Sequence, residues 1–281
     1  MAQLDSAVVA TSDTGGAAPR GTGRVSRNGG RRRGRRGALI TISAASLIGA
    51  WWLASLHYQQ YILPGPTPVW HSFTDAFGRG VWTAMIADTL VHMLVAVAII
   101  FAAGLPIGII IGRSVVAEDL SRMWLIFLQT IPTIVLISVA LIFIGTNTRS
   151  VIVVTAVSGL TYFLINVVQG TRAIDRDLVE MARAYNASER VIMRTILLPS
   201  TVPYVLAGAR ITIGVAWQIT LFSEYLLGSN GVGFQVNSAI KLLDTAGVFM
   251  WGLSIVVLTI VFEYGILGPV ERVLARHQRR A

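Results

Sequence analysis

The chain has 281 residues, 54% of them hydrophobic and only 13% charged, with a mean hydropathy of +0.66. Soluble domains carry about 25% charge, so this composition excludes an ordinary soluble enzyme, a disordered chain and a coiled coil. With no cysteine there is no disulfide framework, thiolate metal site or cysteine nucleophile. The net charge of +9 suggests a nucleic-acid binder until it is located: residues 1–37 hold eight arginines against two aspartates, and the rest is nearly balanced.

Residues 1–37 are rich in Gly, Ser, Thr and Arg, cannot bury a core, and are predicted to form a disordered tail ahead of a membrane domain at 38–281. Arg31 to Arg36 abut an apolar stretch from Ala38 to Leu56. That stretch is longer than a signal-peptide core and ends in His57-Tyr58-Gln59-Gln60-Tyr61, with no small-residue cleavage site. It reads as a retained signal-anchor helix. The arginines read as a topology anchor on anionic lipid, since no aromatic residue interleaves them as nucleic-acid binding would need.

The next segment, Leu63-Pro64-Gly65-Pro66-Thr67-Pro68, predicts an extended strap, followed by a helix capped by Thr67 with Pro68 in its first turn. Val69, Trp70, Phe73 and Phe77 then fall on a face suited to the outer membrane interface. Five further spans are expected at about 85–112, 124–144, 150–170, 202–227 and 246–267, with Pro106 and Pro132 as kinks. With the amino terminus inside, 19 of the 23 basic residues fall in cytoplasmic segments, and only Arg79, Arg149 and Lys241 fall outside. The expected fold is therefore an all-α membrane protein of six transmembrane helices with both termini cytoplasmic.

Between the fourth and fifth spans the chain changes character. A cytoplasmic loop at about 171–200 is charged and fits two short amphipathic helices. Leu178, Met181, Ala182 and Tyr185 share the first apolar face. Ser188 caps the second, whose face is Val191, Ile192, Thr195 and Ile196, and Pro199 is expected to end it. Asn186 at the joint can adopt the left-handed conformation that closes a helix. Two readings of this loop stand equal on physical grounds: a docking element for a protein partner, or an interfacial helix lying on the headgroups.

The run Glu180-Met181-Ala182, with Asn186 six residues on and then Ile196 and Leu198-Pro199, resembles the EAA loop of ABC (ATP-binding cassette) importer permeases. The run from Ile174 to Tyr185 is similar to the nitrate/sulfonate/taurine branch of that class. The resemblance continues through Leu63 to Pro68, Ile131-Pro132, Phe143-Ile144-Gly145, Gly208-Ala209-Arg210, Trp217, Glu224 and Gly231-Val232-Gly233. It departs from the family at Asn186, where glycine is usual, and at Ser138, where proline is common.

What the resemblance implies is a type I ABC importer-like permease fold in a bacterial plasma (inner) membrane. Glu180, Met181, Ala182, Ala184, Tyr185, Asn186, Ala187, Leu198 and Pro199 would contact the ATPase. The implied partners are two cytoplasmic ATPase subunits, a second copy of the chain, an extracytoplasmic solute-binding protein and the bilayer, with no nucleic acid. The cargo would be a small anionic solute: sulfonate, nitrate, bicarbonate or a related organic acid. No cofactor is expected on this chain, and ATP would be used by the partner subunit. In agreement, the only lysine is Lys241, followed by Leu242, so the chain has no G-x-x-x-x-G-K-[ST] loop and is expected to be a non-catalytic subunit.

Ionisable and polar groups inside the spans are candidates for the translocation pathway: Asp88, Gln218, Ser223 and Glu224. Asp88 and His92, four apart, are expected to pair on one face. Glu224 lies near Gln218, Thr220 and Ser223, a cluster that either lines the pathway or joins helices by hydrogen bonds. The four histidines are scattered, so no metal site or catalytic residue is expected. Two further classes remain open: an ion-coupled secondary transporter using Asp88 and Glu224, and a membrane sensor or scaffold working through its tail.

Overall fold

A computed structural model describes residues 29–174 and 176–263 together with Gly265. Features expected of residues 1–28, and of the basic carboxy-terminal run from Arg272 to Arg280, lie outside the described residues. The chain divides into residues 1–50 and 51–281. The backbone of α1 (Gly29–His57) is helical from Gly29, so the expected tail boundary at residue 37 falls inside a helix. Arginine is a good helix former, and its run here does not interrupt the ladder.

In the second unit, α2 (Pro66–Gly78) begins two residues earlier than expected, with Gly65 as cap and Pro66 at the first position. Both Pro66 and Pro68 sit where no intrahelical donor is required. Val69 and Ala76 are buried against Met250 and Trp251, while Trp70 and Phe77 are exposed. The helices that follow are α3 (Val81–Arg113), α4 (Val115–Thr130), α5 (Thr133–Phe143), α6 (Thr148–Arg172), α7 (Arg176–Ala184), α8 (Glu189–Ile192), α9 (Leu198–Leu227), α10 (Val232–Lys241) and α11 (Thr245–Phe262).

Among the described residues, four helices are long and apolar enough to cross a membrane, or five if α4 and α5 form one broken span. That pair overlaps the expected third span, with a break at Pro132 much sharper than the expected kink. The chain turns by 91° at Ile131-Pro132. Pro132 cannot donate to the ladder and disfavours the helical region for Ile131, whose ψ is 119°. By contrast α3 remains helical through Pro106.

The core is organised around α6. Ala156, Phe163 and Val167 face Ala96, Ile100 and Ile109 of α3, and Val151 and Val154 meet Ile137 and Ala140 of α5 and Ile219 of α9. Helix α3 approaches through Gly104, Gly108 and Gly112. A Cβ at these positions would come within 2.6 Å of Phe163, Val167 and Thr171 respectively. Without a hydrophobic force between helices in lipid, such close backbone approach is what makes association favourable. On the other side Gly208 of α9 lies against Asn166, and Gly170 of α6 lies against Tyr204.

This seam generates a prediction. Gly108→Ala places a methyl against Val167, an overpacking worth roughly 1–3 kcal/mol. The variant should unfold several degrees below wild type in detergent, and Val167→Ala in the same chain should recover most of the loss. Equal unfolding temperatures for Gly108→Ala and wild type would show that α3 and α6 are not in this contact.

Candidate functional site

Two sites stand out: the loop after α6 and a buried carboxylate near the end of α9.

In the loop, α7 ends in a Schellman closure. Asn186 takes φ 57°, its N–H donates to Arg183 O at 2.9 Å, and Ala187 N–H donates to Ala182 O at 3.0 Å. Asparagine thus adopts the left-handed backbone expected of it. The apolar face of α7 faces outward: Leu178, Met181 and Tyr185 are exposed, Tyr185 by 83%. Glu180 and Ala184 are exposed, and Ala182 and Ala187 are half-buried.

Ser188 occupies the cap position of α8 by its backbone, but its side chain makes no cap bond. Ile192 and Leu197 turn inward, while Val191 and Thr195 stay exposed. Pro199 does not end the helix as expected. Met193–Leu197 form a π-helical turn that leads directly into α9, with Leu198 and Pro199 exposed in its first turn. The wider turn relieves the clash that a proline ring makes with the carbonyl four residues before it. Glu189 to Leu227 therefore form one continuous helical path.

Ion pairs tie this loop to the spans. Glu189 accepts from Arg113, at the end of α3, at 2.6 Å and from Arg183 Nε of α7 at 3.0 Å. Hydrogen bonds from Arg113 and then Arg183 hold its carboxyl below the usual carboxylate range. At the neighbouring helix ends Arg172 of α6 pairs with Glu118 of α4. Sequence reasoning missed Glu189 because its Arg113 partner lies 76 residues away. The only available signal was an acidic residue set among Arg183, Arg190 and Arg194.

At the second site Glu224, in the last turn of α9, has no exposed surface. Its Oε1 lies 2.7 Å from His92 Nδ1, and its Oε2 accepts from Thr89 Oγ1 at 2.8 Å and from Gly233 N–H at 3.1 Å. Thr89 Oγ1 in turn accepts the Val232 N–H at 2.9 Å. Gly231 takes φ 101°, and a Cβ there would stand 2.3 Å from the carboxyl carbon of Glu224. His92 and Thr89 are as deeply buried as Glu224.

The expected Asp88–His92 pair is not formed. His92 turns instead to Glu224, because a buried imidazole is best satisfied by a buried acceptor, while Asp88 remains half-buried. Nor do Gln218, Ser223 and Glu224 form one cluster. Gln218 is exposed and lines an apolar groove of about 400 Å³ with Trp217, Leu221, Phe222, Tyr225 and Val236. Ser223 is buried, and among the described residues its hydroxyl has no hydrogen-bond partner. Thr220 reaches across to Thr155 of α6 at 3.3 Å. The polar residues of α9 thus serve separate contacts, and Glu224 joins helices.

Residues 104–266 match the sequence profile of the family described as binding-protein-dependent transport system inner membrane component. A probable ABC transporter permease protein of Brucella abortus (strain 2308) is 26% identical over 243 residues, covering 86% of this chain and 96% of that protein. The taurine transport system permease protein TauC of Escherichia coli (strain K12) is 24% identical over 240 residues, covering 83% and 87%. Among solved structures, the inward-facing MetNI methionine ABC transporter shares the fold. Its TM-score is 0.59 at 23% identity, covering 70% of this chain and 97% of that one.

The loop's attachment is open to test. Glu189→Gln should speed amide exchange across residues 176–192 and leave α6 unchanged. The depressed carboxyl contributes attachment above its unfolded pKa and loses it as pH falls through the lowered value. Wild type should therefore hold the loop at neutral pH and release it in strong acid or high salt. Exchange identical in the variant and wild type would remove Glu189 as the tether.

Proposed function

The chain belongs to the binding-protein-dependent transport system inner membrane component family, and on that premise we propose that it is the membrane-spanning subunit of an ATP-driven importer. It would act as a homodimer with two cytoplasmic ATPase subunits, in a bacterial inner membrane with both termini inside. A solute-binding protein would deliver a small anionic solute, such as a sulfonate, nitrate, bicarbonate or a related organic acid. Relatives named for taurine, aliphatic sulfonates and nitrate support that cargo class.

The observation that carries this reading is the loop at 176–197. It presents an exposed apolar face on α7 and passes through a π turn into α9 without a break. A partner seated on Met181, Ala182, Tyr185 and Asn186 would act on a helix that crosses the core. Closure of the ATPase pair on ATP would shift α7, and the shift would pass to α9 through the helix and to α3 through Glu189 and Arg113. The enclosure of Glu224 favours this over an ion-coupled carrier, which would need that carboxylate open to the pathway.

Ala182→Arg introduces a long charged side chain on the proposed contact face. The variant should insert in the membrane at wild-type levels, fail to co-purify with its ATPase subunits, and lose ATP-dependent uptake by at least tenfold, equivalent to about 1.4 kcal/mol. Glu180→Arg should behave in the same way. Full co-purification of the ATPase with the double variant would refute the contact.

A further inference from the structure

The Glu224 site has a geometry that the coupling loop does not explain. A carboxylate in the last turn of a helix is opposed by that helix's own dipole, and inside a membrane domain it needs strong compensation. Here the compensation comes from another element. Oε2 meets the Gly233 N–H in the first turn of α10, and Thr89 of α3 takes the preceding N–H, that of Val232. The first two amides of α10 are thus both satisfied by side chains from α9 and α3. The approach is so close that no side chain fits at Gly231, and a Cβ on Gly233 would fall 2.2 Å from Leu221 O.

Beyond this first turn α10 is held by fewer contacts: the Asn237 amide donates to Tyr225 O of α9, and Ala239 packs towards Gly247 of α11. Val232, Gly233 and Ala239 are buried and residues 234–238 are half-buried. Leu242 and Leu243, at the tip, are 79% and 88% exposed. A cavity of about 320 Å³ lies beside α10, towards α2 and α11, lined by Ser72, Asp75, Arg79, Gln235 and Ser238 among others. The ten-residue helix is therefore anchored at its start by a polar cluster, is held further along by Asn237 and Ala239, and has free space on one flank. The turns at both of its ends contain residues of positive φ, Gly231 and Leu243. Its exposed tip lies on the side assigned to the outside by the distribution of basic residues.

We propose that Glu224, with His92 and Thr89, is a latch: a positioning residue that pins the start of α10 to α9 and α3 and releases it when the outer mouth opens. The proposal rests on the importer reading for its place in the cycle, but the latch itself is testable without it. When the carboxylate lets go, the Gly233 amide, the Thr89 hydroxyl and the His92 imidazole lose their shared partner together. The open state is then short-lived unless other contacts support it. Removing the carboxylate permanently lowers the energetic difference between α10 docked and α10 free, leaving the Thr89–Val232 and Asn237–Tyr225 bonds to hold the helix.

The chain has no cysteine, so single cysteines can report on α10 in intact membranes through a membrane-impermeant maleimide applied outside. Three reporters suffice: Ser238→Cys in α10, Thr155→Cys in the buried α6–α9 seam, and Thr74→Cys on the exposed side of α2. In the Glu224→Ala background Ser238→Cys should label about tenfold faster, the scale set by leaving a buried polar group unpaired, while Thr155→Cys stays protected and Thr74→Cys is unchanged. Glu224→Gln, whose amide oxygen can still accept from Gly233, should give an intermediate rate, and His92→Gln a smaller rise.

Unchanged labelling at Ser238→Cys in Glu224→Ala would overturn the latch. A parallel rise at Thr155→Cys would also overturn it, by showing general loosening of the bundle. Uptake supplies the separate readout. Wild-type uptake that survives ATP depletion would remove the importer reading while the labelling result stood.

Discussion

The close seating of α6 between α3 and α9 is the constraint on which the other features depend. In a bilayer the hydrophobic effect does not hold helices together, so contact has to come from surfaces that fit at short range. Gly104, Gly108 and Gly112 provide one such surface and Gly170 and Gly208 the other. With those three helices fixed, His92 and Thr89 of α3 come level with Glu224 of α9, and the start of α10 is drawn onto them. The same seating brings Arg113 and Arg172 to one end of the bundle, where the loop after α6 is tethered.

The long apolar elements were legible in the sequence to within a few residues, because a hydropathy run near 20 residues leaves little freedom. Residues expected at 150–170 and 202–227 sit in α6 (Thr148–Arg172) and α9 (Leu198–Leu227). Local backbone chemistry was legible too, as the left-handed Asn186 shows. The break at Pro132 was legible as a kink, but its size, 91° between α4 and α5, was not. Hydropathy is blind to direction, and Pro132 is flanked by apolar residues on both sides, so the two helices read as one kinked span. Pro199 misled in the opposite sense, since a π turn allowed the helix to pass through it.

The polar partners were the least legible feature. His92 lies four residues from Asp88, and local spacing favoured that pair. Its actual partner stands 132 residues away on another helix. Glu189 likewise draws Arg113 from far along the chain. Spacing arguments rank neighbours on one helix, whereas the energetic cost of an unsatisfied buried group is settled by whichever helix packs opposite. The short motif Gly231-Val232-Gly233 was visible as a family resemblance. Its physical reason appears only when the carboxylate is seen occupying the space a side chain would need.

The uninterrupted path from Glu189 to Leu227 has a consequence of scale. At about 1.5 Å per residue its contour approaches 57 Å, more than the full thickness of a bilayer with its headgroups. A helical path of that length, with a π turn and Pro203 along it, can act as a lever. Turning it as one body by about 5° about one end displaces the other by roughly 5 Å, close to one helical turn. An adjustment of a few degrees at the Glu189 end would thus reach the Leu227 end as a movement of several ångströms, with Gly208, midway along, sliding about half as far against Asn166.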